Sequence, residues 1–308
     1  MNVSKTKDRS LRIGARSSRL AIAQVNEVIS AFDKYVPEIQ LSMVPIKTEG
    51  DINKDVPLSE MNRGMFVREI EQALILKQID IAVHSAKDIP PDSNPELQIS
   101  AMLKRADARD IIVSKWNLPL DKIPDGATIG TSSPRRTAFI NNHRPELIVK
   151  PIRGNVDTRL EKIGRGYDGI ILAAAGLERL NMIDIVDQFI DTEIFIPDAG
   201  QGAIAIQTRI EDEHTSETVS KVNDADTFTC VTAERSFVKT FGGSCNTPHA
   251  AYAEITKQLI KITGLVCSND GKRQYKDTIY GDIEFPEETG VNLAEKLISI
   301  GALDIEGT

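Results

Sequence analysis

The chain has 308 residues, enough for two or three domains at roughly 100–150 residues each. Hydrophobic residues make up 41% and charged residues 27%, near the globular average, which argues against a disordered or membrane-embedded chain. A formal charge of −8 excludes general affinity for nucleic acid backbone or an anionic membrane, so any anion site must be local.

Residues 1–10 are polar and lysine-bearing, with no apolar stretch behind them of signal-peptide length. The longest apolar run, Ile170 to Ala175, is far too short to cross a bilayer. Through the first two-thirds, short apolar runs alternate with amphipathic stretches, the pattern of an α/β protein. Leu11 to Ala15 predicts a strand. Ser18 to Phe32 predicts a helix with Leu20, Ile22, Val25, Val28 and Ile29 inward, and Leu41 to Ile46 a second strand. Residues 48–64 are polar, with two glycines and a proline; a loop of this length is a lid, a binding loop or a disordered segment, or else a plain surface excursion. Phe66 to Lys77 predicts a helix with Phe66, Ile70, Ala73 and Leu74 on one face, and Ile79 to Val83 a strand covered on both faces.

A second set of elements follows. Strands are predicted at Ile111 to Val113, Thr128 to Gly130, Leu147 to Ile152 and Gly169 to Ala173, with helices at Pro134 to Asn141, Val156 to Lys162 and Leu177 to Leu180. Ala203 to Thr208 is again a strand, after a glycine-bearing turn at 197–202. From about Ala225 the style changes to a helix over Thr227 to Phe241, alternating segments such as Leu259 to Val266, and a closing helix near Val291 to Ile300. That tail predicts a separate α+β unit with an antiparallel sheet. No repeat is visible.

Three predicted strand-to-helix turns carry arginine: Arg16-Ser17-Ser18-Arg19, Thr131-Ser132-Ser133-Pro134-Arg135-Arg136 and Arg153-Gly154-Asn155-Val156-Asp157-Thr158-Arg159. Ser17 or Ser18, Ser133, and Asn155 or Asp157 suit the N-caps, and Pro134 suits the first helical position. Arginine at the positive end of a helix dipole costs about 0.3–1 kcal/mol when exposed. One such arginine means little. Three turns with this bias point to an anion held jointly by guanidinium and backbone N–H groups, at the carboxyl ends of strands where open α/β sheets bind ligands. Gly164-Arg165-Gly166-Tyr167-Asp168-Gly169 matches a dinucleotide fingerprint in letters only, because it follows a helix and precedes a strand. Four histidines without ligand spacing argue against a metal site.

Ser85, Lys87 and Asp88 fall just past the end of the Ile79 to Val83 strand. A turn alone explains an aspartate there, but beside arginines its carboxylate would stay ionised and could stabilise developing positive charge. Of three cysteines, Cys230 and Cys267 read as packing residues, whereas Cys245 lies in a glycine-rich loop where a thiol can be accessible. Their odd number and spacing fit a reducing compartment, with the cytosol as the default.

The ordered segments Ile13-Gly-Ala-Arg-Ser-Ser-Arg-Leu-Ala, Gly64-Met-Phe-Val-Arg-Glu-Ile-Glu, Asp80-Ile-Ala-Val-His-Ser-Ala-Lys-Asp, Gly130-Thr-Ser-Ser-Pro-Arg-Arg, Arg153-Gly-Asn-Val-Asp-Thr-Arg-Leu, Ala199-Gly-Gln-Gly-Ala and Gly243-Ser-Cys together resemble the hydroxymethylbilane synthase, or porphobilinogen deaminase, family. The resemblance runs from about Leu11 to Ala253 and more weakly beyond. It implies two doubly wound lobes like those of periplasmic binding proteins, plus a C-terminal α+β domain with a small antiparallel sheet. Domain 1 would comprise 1–104 and 202–222, domain 2 105–201, and domain 3 223–308.

The same resemblance implies a transferase that condenses four porphobilinogen molecules onto a dipyrromethane cofactor. Ammonia leaves at each addition, and hydrolysis then frees hydroxymethylbilane for haem synthesis. It places the cofactor's thioether on Cys245 and the catalytic carboxylate on Asp88. Cofactor and substrate binding would fall to Arg16, Ser18, Phe66, Ser85, Lys87, Thr131, Ser132, Ser133, Arg135, Arg136, Arg153, Gly154, Asn155, Arg159, Arg179 and Gln201, with 48–64 as a mobile cleft loop. Loss of ammonia gives an azafulvene with positive charge on the ring nitrogen, which a fixed carboxylate can stabilise. Ser244, Pro134, Arg63 and Arg19 depart from the residues frequent in the family, preserving charge or turn chemistry and leaving the reaction class intact. The expected partner is porphobilinogen alone, with no nucleic acid, membrane or metal, in a cytoplasmic monomer. The rival readings are a non-catalytic two-lobed anion receptor, which does not explain Cys245, and a phosphoribosyl-type transferase.

Overall fold

The computed structural model describes residues 9–48, 67–92, 94–242 and 248–306. Phe66, Cys245 and, apart from Thr48, the 48–64 segment lie outside the described residues.

The chain opens with β1 (Arg9–Arg16), α1 (Arg19–Tyr35) and β2 (Ile39–Ile46). Ala21, Val25, Val28 and Phe32 recur at helical spacing and are the buried stripe that holds α1 on the sheet. After α2 (Arg68–Ile75) come β3 (Ile81–Ser85) and β4 (Leu97–Met102). The chain then crosses to β5 (Asp110–Ser114), β6 (Thr128–Gly130), α3 (Pro134–His143), β7 (Ile148–Lys150), α4 (Val156–Leu160), β8 (Gly169–Ala173), α5 (Ala174–Arg179) and β9 (Gln188–Ile190). It returns as β10 (Ile204–Arg209) and α6 (Glu213–Ser220).

The first sheet has the order β2-β1-β3-β10-β4 and the second β7-β6-β8-β5-β9. In each, three parallel strands are followed by one of opposite direction and an outer strand. The reversed strand is the one made by the chain as it crosses, β5 on the way out and β10 on the way back. The two sheets thus share a plan that no sequence repeat discloses. The crossing segments lie side by side, with Leu103 N–H donating to Ile204 O (3.1 Å) and Ala106 N–H to Gly202 O (3.2 Å).

Beyond the second crossing, α7 (Ala225–Thr240) and α8 (Pro286–Ser299) pack against the antiparallel sheet β11 (His249–Thr256), β12 (Leu259–Cys267) and β13 (Gln274–Asp282). Phe237, Ile262, Leu293 and Leu297 centre that core. The fold is therefore the expected one, two doubly wound lobes and a C-terminal α+β unit.

Several element bounds differ from expectation for local reasons. Ile79 and Asp80 end the turn out of α2: Ile79 N–H reaches Ala73 O, and the Asp80 carboxylate accepts from Arg12, so β3 starts at Ile81. The helix expected over Val156 to Lys162 stops at Leu160, and the one expected from Leu177 starts at Ala174, directly out of β8. β4 and β9, whose partners are distant in sequence, escaped prediction, and of the expected antiparallel sheet only β12 was located individually.

Candidate active site

Each polar turn is held by a cap. Ser18 Oγ accepts from Ala21 N–H (3.2 Å), Ser133 Oγ from Arg136 N–H (3.4 Å) and Asn155 Oδ1 from Thr158 N–H (2.9 Å), which settles the alternatives among the cap residues. Thr131 Oγ1 accepts from Ser133 N–H, and Ser132 Oγ donates to Ile152 O (2.7 Å), tying the β6 turn to the β7 turn. Gly154, at φ +112, takes a backbone conformation that side chains avoid, and its carbonyl accepts from Arg159 Nε at 2.7 Å.

The apolar strand β3 ends in a 3-10 turn, Ala86–Asp88, that presents Lys87 and Asp88. Asp88 shares a pocket with Arg16, Ser18, Gln24, His84 and Ser85, and Gln24 donates to Ser85 Oγ at 2.8 Å. Asp88 keeps solvent access, yet protein crowds the cleft around it. That desolvation pushes its carboxyl above the usual range, against the pull of Lys87 and Arg16. The sequence leads one to expect cations to keep this carboxylate ionised; desolvation by the surrounding protein outweighs their pull, so Asp88 takes up its proton at a higher pH than an ordinary aspartate.

Across the cleft, burial and the neighbouring Arg136 and Arg153 lower the Arg159 guanidinium to about 10, with Asp88 opposing. Burial and Arg136 likewise lower the Lys87 ammonium. Lys87 and Asp88 of one lobe therefore act on Arg136 and Arg159 of the other, and Arg16 acts on Asp88 within its own lobe. The surplus is cationic.

Arg135 and Arg136 are buried and share Asp110, which is wholly buried at the start of β5. Arg136 Nε donates to Asp110 Oδ1 (2.9 Å) and Nη1 to Ile171 O (3.2 Å). Arg135 Nη1 lies 2.8 Å from Asp110 Oδ2 and donates to Ile196 O, with its guanidinium over the Phe195 ring. The two arginines hold Asp110 down at about 2 in spite of its burial. They are thus partly neutralised within the protein.

Two expected positions serve the frame. Gln201 is buried in the 197–202 turn, donating to Ala108 O (2.7 Å) and accepting from Lys87 Nζ (3.3 Å). Arg179 donates to Glu27 (3.0 Å) and Gly202 O (2.9 Å), and lines a groove with Lys34, Lys104 and Asn223 that includes neither Arg16 nor Asp88. Arg19, at the start of α1, reaches Asp157 of the other lobe at 2.8 Å. Asp110, Asp198, Arg105 and Glu234 were not singled out in the sequence. Asp198 acts on Lys87, Asp88 and Arg135, and Arg105 pairs with Glu234 through two bonds, at 2.5 and 3.1 Å. Only their place beside apolar runs hinted at buried charge.

Burial pushes the Cys230 thiol up to about 12 and the Cys267 thiol up to about 11, so neither is a ready nucleophile.

Two lobes that bring Arg16, Lys87 and Asp88 together with Arg136 and Arg159 define a two-lobed protein with a cation-rich site suited to an anionic ligand. Residues 11–217 match the porphobilinogen deaminase dipyromethane cofactor binding domain, and 228–299 the porphobilinogen deaminase C-terminal domain. Porphobilinogen deaminase of Brevibacillus brevis is 43% identical over 297 residues, covering 96% of each chain. That of Syntrophus aciditrophicus is 41% identical over 293 residues, covering 94% of this chain and 96% of its own. The chain belongs to the porphobilinogen deaminase family. Among solved structures, the BvgS periplasmic VFT2 domain of Bordetella pertussis is 12% identical with a TM-score of 0.42, covering 69% of this chain and 86% of its own.

Proposed function

We propose that this chain is a hydroxymethylbilane synthase, a transferase that joins porphobilinogen molecules head to tail on a dipyrromethane primer, releases ammonia at each addition and hydrolyses the product free. The observation that carries the reading is the convergence of Lys87 and Asp88 from one lobe with Arg136, Arg153 and Arg159 from the other, where desolvation first and like charges second lower Lys87 and Arg159. Such a cleft gathers positive charge in poorly hydrated surroundings. Pyrroles bearing acetate and propionate side chains would relieve it, so the donor set fits both the primer and its substrate.

When bound, the dipyrromethane supplies the pyrrole end from which the chain grows. Cys245 is assigned as its point of attachment. Arg16, Lys87, Arg136, Arg153 and Arg159 hold ring carboxylates, while Thr131, Ser132, Ser133, Gly154 and Asn155 shape the turns that offer backbone N–H groups. Arg135 keeps Arg136 and Asp110 in register. Gln201 and Arg179 act from the frame, Gln201 through Lys87. Asp88 is assigned to face a pyrrole N–H and to stabilise the positive charge that appears as substrate loses ammonia. We assign 1–104 with 202–222, 105–201 and 223–308 as the three domains, and a cytoplasmic monomer as the working form. Among the described residues, no helix is long and apolar enough to cross a membrane.

Intact-mass measurement tests the reading. The purified chain should carry a covalent excess of two linked pyrrole units, absent from Cys245→Ala, and should consume porphobilinogen. Unmodified protein that leaves porphobilinogen untouched would sink it.

A further inference from the structure

Asp88 is gripped from the C-terminal domain. Arg235, on α7, donates through Nη1 to Ile89 O (2.9 Å) and Ala86 O (3.5 Å), and through Nη2 to Pro90 O (2.8 Å). These carbonyls flank Lys87 and Asp88 on both sides. The turn's own closing bond, Ile89 N–H to Ala86 O, is long at 3.3 Å, and Pro90 has no N–H with which to extend it. The next residue back on α7, Glu234, accepts from Gly200 N–H at 2.7 Å. Gly200 in turn lies so close beneath the catalytic turn that a Cβ there would stand 3.0 Å from Lys87 N. One helix therefore fixes the turn directly through Arg235 and from beneath through Glu234 and Gly200. Desolvation lowers the Arg235 guanidinium to about 10, so the charge is committed to a poorly hydrated place.

We propose that Arg235 is a positioning residue for the condensation. It fixes the backbone on either side of Asp88, and so the place of the carboxylate in the cleft, from the helix whose chain continues to Cys245. The inference rests on Asp88 being the catalytic carboxylate. A planar fork suits the task because it reaches several carbonyls at set angles, whereas a lysine ammonium would reach fewer and hold them less firmly. The same three bonds could merely fasten two domains together, and the two roles differ in what they change. Fastening affects stability and cofactor loading. Positioning affects turnover per loaded molecule.

The test compares full-length, cofactor-loaded wild type, Arg235→Lys and Arg235→Ala, with loading fixed by intact mass. Displacement of a reacting group by about 1 Å costs on the order of 100-fold, so kcat per loaded Arg235→Ala should fall roughly 10- to 100-fold. kcat should fall by a larger factor than KM for porphobilinogen rises, because Asp88 acts on the reacting step while Lys87 on the same turn contributes one binding contact among several. Millimolar guanidinium should restore part of the rate, and Arg235→Lys should lie between. Wild-type kcat per loaded molecule in either variant, or a raised KM at unchanged kcat, overturns the proposal, even if the melting temperature drops. Should Arg235→Ala not accumulate folded, Arg235→Lys is judged by the same criteria. Asp88→Asn, measured alongside, separates the two readings. Fast turnover there removes the Asp88 assignment, whereas a slow Asp88→Asn beside fully active Arg235 variants removes this inference alone.

Discussion

Asp110 binds Arg136 through an aligned 2.9 Å hydrogen bond and Arg135 through a 2.8 Å ion pair, with all three side chains almost wholly out of water. One carboxylate thus serves two buried guanidinium groups. Removing it leaves both without their counter-ion, and breaking a buried pair costs about 3–5 kcal/mol. Asp110→Ala should therefore lower the urea-unfolding free energy by that order. Because the folded carboxyl sits at about 2 instead of the ordinary 3.8, Asp110 contributes stability that is present above its unfolded pKa and is lost as pH falls toward 2. Wild type should weaken across that window more steeply than the variant. Parallel acid limbs in the two proteins would show that Asp110 titrates normally.

Asp88 has the opposite sign. Its carboxyl is raised in the folded protein, chiefly by desolvation, so its ionised form is a burden on folding at neutral pH. Asp88→Asn should unfold at an equal or slightly higher temperature at pH 7 and show little difference well below pH 4. Turnover should move the other way, falling on the order of 100-fold or more with the loss of a preorganised charge. The wild-type rate should also drop on the acid side at a pH above the ordinary aspartate range. A variant that melts early, or that turns over at the wild-type rate, refutes this account.

The ends of strands were the most legible part of this molecule. Apolar runs closing on Arg16, Ser85-Ala86-Lys87-Asp88, Thr131 and Arg153 marked the turns, because a strand must stop where its side chains need water or a ligand. What lay opposite was not legible. Asp110 meets Arg136 across 26 residues, and Arg235 meets Pro90 across 145, distances over which local periodicity carries no signal. The reversed β5 and β10 were hidden for a related reason: strand direction there follows from the chain crossing between lobes, not from any residue in the strand. Arg135 illustrates the limit. Its place at a helix start suggested a free cation, and only the fold supplies its counter-ion.

Arg159 provides a test of whether the cleft is built for anions. Desolvation, then Arg136 and Arg153, lowers its guanidinium to about 10, so the charged form costs the ligand-free fold stability. The sign follows: a base whose folded value lies below its unfolded one weakens the protein at neutral pH, and the penalty fades only as pH rises through both values. Arg159→Gln should therefore leave the protein without bound pyrroles as stable as wild type, or more so, at pH 7. Binding should suffer. A charge-assisted hydrogen bond is worth about 1.5–3 kcal/mol, so KM for porphobilinogen should rise roughly 10- to 150-fold, with less change in kcat. Added salt should weaken wild-type binding more than binding by the variant, since one screened contact is already gone. Thermal melts and initial rates at two ionic strengths decide it. A destabilised Arg159→Gln with unchanged KM would mean that the guanidinium braces Gly154 and does not hold substrate.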